Sequence, residues 1–551
     1  MKTEIPNVPT IHRWLGPLLI TCVLCLSWRA AAAPGWNHLV HNPPDKIGFI
    51  LLLSDGTVLA QQNDGSNCYR LTPDINGSYV NGTWSNLAPM NDARAYYASQ
   101  VLRDGRLFVA GAEDGTGSNT AEVYDPLGNT WTRLPIPISV LNTNLGRSIL
   151  DCMSEMLPNG RVLIAPKMNA LQNVIYDPAA NAWSVGPTNL ADQQETSWVK
   201  LPDDSIISID WDSTNTERFI PSLNQWVADA AAPMIWNLTT GETGPAFLLP
   251  NGKALFLGGN GQTALYTPSG STNPGSWTSA TNLPDGMTAQ DAPGAMMVNG
   301  RILCALGPTY GAAPTGFYEY DYLANTFTNV GATTGTYDNS AAFALTLLDL
   351  PDGNVLYCES DTNLYVYEPV GAPLSAGKPT ITSIVPRGDG SFHLTGTLLN
   401  GISEGAAYGD DAQMNSNFPL VRLSDGAGNV YYARTTNWSS SSVMTGSRPL
   451  TTEFTLPSNM PSGIYSLVVV ANGNSSDPVS FYGPVWVDFN YLGTIEIGTY
   501  DSPYKRLTNG VSAVAAGGRV SIKTPGSSAE TMRLTKAMTL VSPNGTATIG
   551  R

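Results

Sequence analysis

This chain of 551 residues predicts an all-β fold built around a seven-bladed β-propeller, on three observations. An Asp/Asn-Gly hairpin turn between apolar runs recurs at a regular period. A tyrosine strand and then a tryptophan strand follow the turns in constant order. Charged residues make up only 13% of the chain, against about 25% in ordinary globular proteins, while Gly (54) and Pro (40) are plentiful.

The turns are "SDGTVLA" at Asp55, "RDGRLFVAG" at Asp104, "PNGRVLIA" at Asn159, "PDDSIISI" at Asp203, "PNGKALFLGG" at Asn251, "VNGRILCALG" at Asn299 and "PDGNVLYCE" at Asp352, seven in all and 44 to 55 residues apart. Asp-Gly and Asn-Gly between apolar runs are the strongest short-range hairpin signals, and the period is that of a four-stranded propeller blade. The third strand recurs as "AEVYDP", "NVIYDP", "TALYTP" and "LYVYEP", and the fourth around Trp84, Trp131, Trp183, Trp226, Trp277 and Phe327. Six fourth strands serve seven blades, so the last blade lacks its outer strand. "PGWNHLV" supplies it: Trp36 precedes its turn by 19 residues, as Trp84 precedes the next by 20, and in a ring the strand before blade one belongs to blade seven. His38 and His41, three apart on that strand, point to opposite faces and cannot chelate together.

Beyond Lys378 the period stops. "KPTITSIVP", "SFHLTGTLL", "FPLVRLSDGAGNVYYARTTNW", "LTTEFTLP" and "GIYSLVVVANG" alternate at the spacing of an immunoglobulin-like sandwich. From residue 485 onward, "GTYDSPYKRLTNGVSAV" reads as a capping turn and helix, and "RVSIKT", "ETMRLT" and "AMTLVS" as first rungs of a parallel β-helix. The expected organisation is therefore a leader over 1-33, the propeller over 34-377, the sandwich over 378-484 and a short β-helix-like segment over 485-551.

The leader rests on Lys2 and Arg13 ahead of the apolar run Leu15 to Trp28 and the small-residue sequence "RAAAAP". That run of 14 residues is short of the roughly 20 needed to span a bilayer, so export to the cell surface or medium is expected, without membrane insertion. Removing the leader leaves a net charge near -18, which repels nucleic acid and anionic membranes. Cys68, Cys152, Cys304 and Cys358 remain, and their scattered spacing fits buried thiols as well as bridges.

A propeller closed by its N-terminus and followed by an immunoglobulin-like module resembles the kelch-type galactose oxidase family of copper-radical oxidases, over residues 36 to about 484, the second module matching its early-set domain. The resemblance implies a copper held by two tyrosines, one cross-linked to a cysteine, and two histidines. Counting back from the turns, Tyr96 matches the cross-linked tyrosine. Phe49 falls where its cysteine partner belongs, Phe343 and Ala344 where a Tyr-His pair belongs, and Gly409 and Asp410 where the sandwich histidine belongs. Copper(II) in such a site needs imidazole and phenolate donors, so the copper set is not retained.

Eight or nine residues before the turns stand Tyr96, Asp151, Glu195, Glu242 and Asp291, with Phe49 and Phe343 completing the circle. Four acids in one ring read in two ways. They form an acidic axial funnel with a calcium site at Asp151, Glu195 and Asp291, because hard oxygen donors suit Ca²⁺; or they clamp blade to blade by accepting backbone hydrogen bonds. Tyr97, Trp198 and Trp236 lie near the same rim; Trp198 reads as packing, while Trp236, in the longer connection "APMIWNLTTGETG", is the better sugar-binding candidate. Adjacent Asp410 and Asp411 read as a solvated turn or a surface calcium loop. The expected function is a secreted, non-catalytic scaffold recognising glycan or extracellular protein, the alternative a galactose-oxidase-like or carbohydrate-active enzyme using the funnel.

Overall fold

The computed structural model describes residues 35-167, 171-193, 195-237, 239-333, 335-408 and 412-550. The leader expected over 1-33 and the Asp410-Asp411 turn lie outside the described residues. Seven antiparallel blades of four strands form the propeller, from Ile47–Leu52, Val58–Gln62, Cys68–Thr72 and Thr83–Asn86 in blade one to Thr346–Asp349, Val355–Cys358 and Leu364–Glu368 in blade seven.

The repeating turn has one chemical cause in every copy. The side-chain oxygen of its Asp or Asn accepts the backbone N–H two residues on, at 3.1 Å for Thr57 to Asp55, 3.0 Å for Arg106 to Asp104 and 2.9 Å for Arg301 to Asn299, and likewise at Asn159, Asp203, Asn251 and Asp352. The next residue is left-handed, which glycine adopts without a Cβ penalty; in blade four Asp204 takes that place at φ 66°.

The fourth strand of blade seven is Gly35–His38, with Trp36 opposite Tyr367. Their rings lie 4.8 Å apart, matching the Tyr124–Trp131 and Tyr176–Trp183 pairs at 5.0 and 5.1 Å within single blades. The N-terminal strand thus repeats the Tyr–Trp contact that blades two, three and five make within their own chain, and the closure leaves no strand edge at the seam. Cys68, Cys152, Cys304 and Cys358 are all buried.

The sandwich is formed by Thr380–Pro386, Phe392–Thr397, Leu420–Ser424, Val430–Thr436, Leu450–Thr455, Ile464–Ala471 and Val479–Tyr482 around Phe392, Val421, Phe454 and Phe481. It sits against the turn end of the propeller. Tyr432 covers Gly56 so closely that a Cβ there would lie 2.6 Å from its ring, and Thr435 N–H donates to the Ser54 carbonyl at 3.0 Å.

One excursion of the sandwich was not foreseen. Gly405–Tyr408 and Ala412–Asn415 form a hairpin that leaves the module and pairs with Pro293–Met296, the innermost strand of blade six, making that sheet six-stranded. Its root is at the turn end, where Ser416 Oγ donates to Asp349 Oδ2 at 3.0 Å. Its far end reaches the opposite rim, with Tyr408 level with Pro293. The channel that the repeats imply is therefore filled by this hairpin.

In the terminal segment Val485–Val487, Arg519–Ile522 and Thr539–Val541 pair in parallel, as do Gly526–Ser528 and Ala547–Ile549, with the helix Leu507–Ala513 between. "RVSIKT" and "AMTLVS" supply strands as expected, but "ETMRLT" does not. Glu530 turns instead to the helix start, accepting the N–H groups of Leu507 and Thr508 at 2.7 and 3.2 Å.

Candidate axial cation site

The ring residues lie at the ends of the inner strands remote from the sandwich. Tyr96, Asp151, Glu195 and Asp291 all adopt left-handed backbone, with φ between 44° and 54°, a conformation costing roughly 1–3 kcal/mol in a non-glycine residue and typical of functional sites. In blade five Gly241, at φ 92°, precedes Glu242. Thr243 ties neighbouring blades at this level: its Oγ1 donates to the Glu195 carbonyl at 2.8 Å and its carbonyl accepts the Asp291 N–H at 3.1 Å.

Glu195, Glu242 and Asp291 each bring one carboxylate oxygen into a group no more than 4.8 Å across. Asp151, expected in the calcium set, instead receives the Lys167 ammonium at 2.8 Å, and Lys167 also pairs with Glu195. Burial opposes the Lys167 charge, but Asp151 and Glu195 outweigh it and hold the ammonium above its usual range. Burial raises the Glu242 carboxyl, reinforced by the negative field of Asp151 and partly offset by hydrogen bonding to Glu195. Glu113, facing the same cluster, is pushed up to about 7 by burial first and by Asp151 second. Three carboxylates at this spacing in a partly buried place repel one another, and a bound cation relieves that cost.

The opposite side of the mouth is aromatic. Phe49 lies edge-on to Tyr96 at 5.9 Å, and Tyr310 lies 6.0 Å from Phe343. The Tyr310 phenol is raised by burial and then by Asp291 and Glu242, which places its hydroxyl in the field of the carboxylates. The inner-strand ring is thus acidic in blades three to six and aromatic in blades seven, one and two, with Glu113 of blade two and Tyr310 of blade six both facing the carboxylates.

Two expected ligand contacts are corrected. Tyr97 is only 1% exposed, packed on Phe49 with its hydroxyl donating to Gln61 Oε1 at 2.5 Å. Trp236 is 0% exposed, wedged between Phe256 and Trp277, because its connection folds inward over the core between blades four and five. Trp198 is packing, as expected, against Trp226. Glu113, Lys167 and Tyr310 went unread in the sequence. A shared signal exists: Glu113 and Lys167 each stand three residues past the end of a second strand, at Ala110 and Ile164, and Tyr310 four past Leu306.

A Kelch motif matches residues 94–137, the span of blade two. The chain is a seven-bladed propeller that carries a kelch motif in its second blade. Among solved structures, a fungal alcohol oxidase of the AA5 family in complex with copper is 13% identical, covering 82% of this chain and 99% of that one at a TM-score of 0.49. A catalytically inactive virginiamycin B lyase from Staphylococcus aureus with quinupristin is 13% identical at a TM-score of 0.44, over 61% and 100% of the two chains. A streptogramin B lyase is 13% identical at 0.42, over 61% and 98%. These likenesses concern chain path alone, and no curated protein matches.

Copper does not fit this kelch propeller's mouth. His38 bonds Asn363 on the outer edge of blade seven, His41 bonds the Gly82 carbonyl, and His393 lies within a sandwich strand. The donors at the axis are carboxylates and phenols, which suit a hard cation such as Ca²⁺ rather than one that seeks imidazole.

Proposed function

We propose that this kelch propeller is an exported binding protein whose axial mouth holds a divalent cation, Ca²⁺ by preference, on Glu195, Glu242 and Asp291, and presents it to the hydroxyls of a glycan. The reading is carried by the three carboxylate oxygens gathered within 4.8 Å. Tyr310, 42% exposed beside Phe343, gives a sugar ring a surface to rest on next to the ion. Ca²⁺ takes six to eight oxygen ligands, so three carboxylates leave coordination positions for ligand hydroxyls and water.

Calorimetric titration of the full chain with Ca²⁺, and terbium luminescence at the same site, test the proposal. One ion per chain is expected, with Glu242→Gln weakening it at least about tenfold, equivalent to about 1.4 kcal/mol. Absence of binding at millimolar Ca²⁺, or equal affinity in the variant, rejects it. Release of reducing ends from a bound glycan would move the reading to a hydrolase.

A further inference from the structure

A second place has the character of a ligand site and shares no residue with the axial mouth. Where blade one, the sandwich and the terminal segment meet, they enclose a cleft of about 830 Å³. Sites for small molecules span about 300–1,000 Å³ and favour such domain junctions. Each module contributes to its walls: Arg70 and Thr72 from the propeller, Tyr431, Arg434 and Asn459 from the sandwich, Tyr500 from the terminal segment.

The wall carries four aspartates, Asp55, Asp74, Asp389 and Asp501, against two arginines, Arg70 and Arg434, and Arg387, paired with Glu453, stands just behind it. Arg70 Nη1 stands 4.0 Å from Asp55 Oδ2, and Arg387 Nε stands 3.9 Å from Asp389 Oδ2, with Asp55, Arg70 and Asp389 all on the cleft wall. Both gaps exceed hydrogen-bond length. A hydroxyl between such groups accepts from the guanidinium and donates to the carboxylate at once. Arg434 makes one long bond, 3.3 Å from Nη2 to the Asp104 carbonyl, although a guanidinium carries five donors; Arg70 has in addition the Tyr124 phenol beside it. The other oxygens of Asp55 and Asp389 are taken by their own turns, from Thr57 at 2.6 Å and Ser391 at 2.6 Å. Tyr431 adds a half-buried ring whose one aromatic neighbour within the sandwich, Tyr465, meets it edge to face.

We infer that this three-module cleft binds an uncharged oligosaccharide, its hydroxyls bridging the Arg70–Asp55 pair and its sugar face resting on Tyr431. The excess of aspartates over arginines on the wall disfavours an anionic ligand, and the paired donor and acceptor groups match the alternating donor and acceptor character of sugar hydroxyls. Sites built to hydrogen-bond hydroxyls discriminate strongly in favour of them, because unfilled polar groups are left unpaired when the wrong ligand enters.

The test is calorimetric titration of the full chain in EDTA with cello-, malto- and β-1,4-galacto-tetraose, and with tetragalacturonate as the charged comparison. At least one neutral tetrasaccharide should bind at least tenfold tighter than tetragalacturonate. Arg70→Met should weaken it at least tenfold, with Tyr431→Ala as a second variant should Arg70→Met fail to fold, while Glu242→Gln at the axial mouth leaves it unchanged. Binding by none of the three neutral sugars, preference for tetragalacturonate, or loss of binding in EDTA would overturn the inference, the last assigning the sugar to the axial mouth instead.

Discussion

Blade three brings Asp151, Glu155 and Lys167 and blade four Glu195 and Lys200 toward the axis, and with Glu404 of the sandwich they build one arrangement twice, a lysine between two carboxylates. At the open end Lys167 joins Asp151 and Glu195. At the sandwich end Lys200 joins Glu155 at 2.5 Å and, at 3.4 Å, Glu404 from the root of the inserted hairpin. The Lys167 side chain is 18% exposed and that of Lys200 is 2% exposed. Burial opposes charge on Lys200, yet Glu155 and Glu404 outweigh it and keep the ammonium; Glu155 is driven upward by burial first and by the Glu404 charge second. Like groups therefore sit in different settings: where water is shut out, the lysine fixes one module to another, and where water reaches, it holds a carboxylate that the proposed cation would also need.

Breaking the inner triad should have the largest effect. Lys200→Met strands the buried Glu155 carboxyl beside the partly buried Glu404, and removing one partner of a buried pair costs about 3–5 kcal/mol; chemical denaturation should show that loss, and an unchanged midpoint would mean the triad does not anchor the hairpin. Next comes the other root contact. Burial pushes Asp349 up to about 7, with the Ser416 hydroxyl pulling it back only in part. Its native carboxyl holds its proton more tightly than the unfolded one, so stability is greatest below about pH 4 and falls as pH rises toward 7. Asp349→Asn should flatten that slope, gaining up to about 4 kcal/mol at pH 8 and nothing at pH 4; equal slopes in both proteins would contradict the burial argument. Smallest in stability, but opposite in sign for binding, is Lys167→Met. Removing the competing ammonium should tighten Ca²⁺ about tenfold, or about 1.4 kcal/mol, while the melting temperature barely moves. Weaker Ca²⁺ binding in that variant would show that Lys167 supports the site rather than competing for it.

The ring of blades was readable because each blade repeats one local solution, an Asx turn followed by a left-handed residue, with an outer strand whose Trp or Phe faces a large apolar or tyrosine side chain. The latch was readable for the same reason: Trp36 keeps the register of a motif seen six times elsewhere. The inserted hairpin has no repeat to betray it, since "EGAAYGDDAQMNSN" pairs with a strand more than a hundred residues earlier. The acids Asp151, Glu195, Glu242 and Asp291 could be found by counting from the turns. Which three converge could not, because that depends on Lys167, which reaches the cluster from the loop after a second strand. Trp236 misled because a long connection rich in polar residues looks solvent-facing, whereas this one folds inward and sets its indole among Phe256 and Trp277.

The latch and the hairpin together also set an order of assembly. Residue 36 must wait for residue 367, and the axis cannot fill until residues 405–415 have been made. Such distant pairings are slow to form and expose unpaired edges meanwhile. The first segment of the finished fold to leave the ribosome is thus among the last to find its place. Until it does, the nascent ring stands open at its seam, and that interval is when this protein is most exposed to aggregation and to proteases.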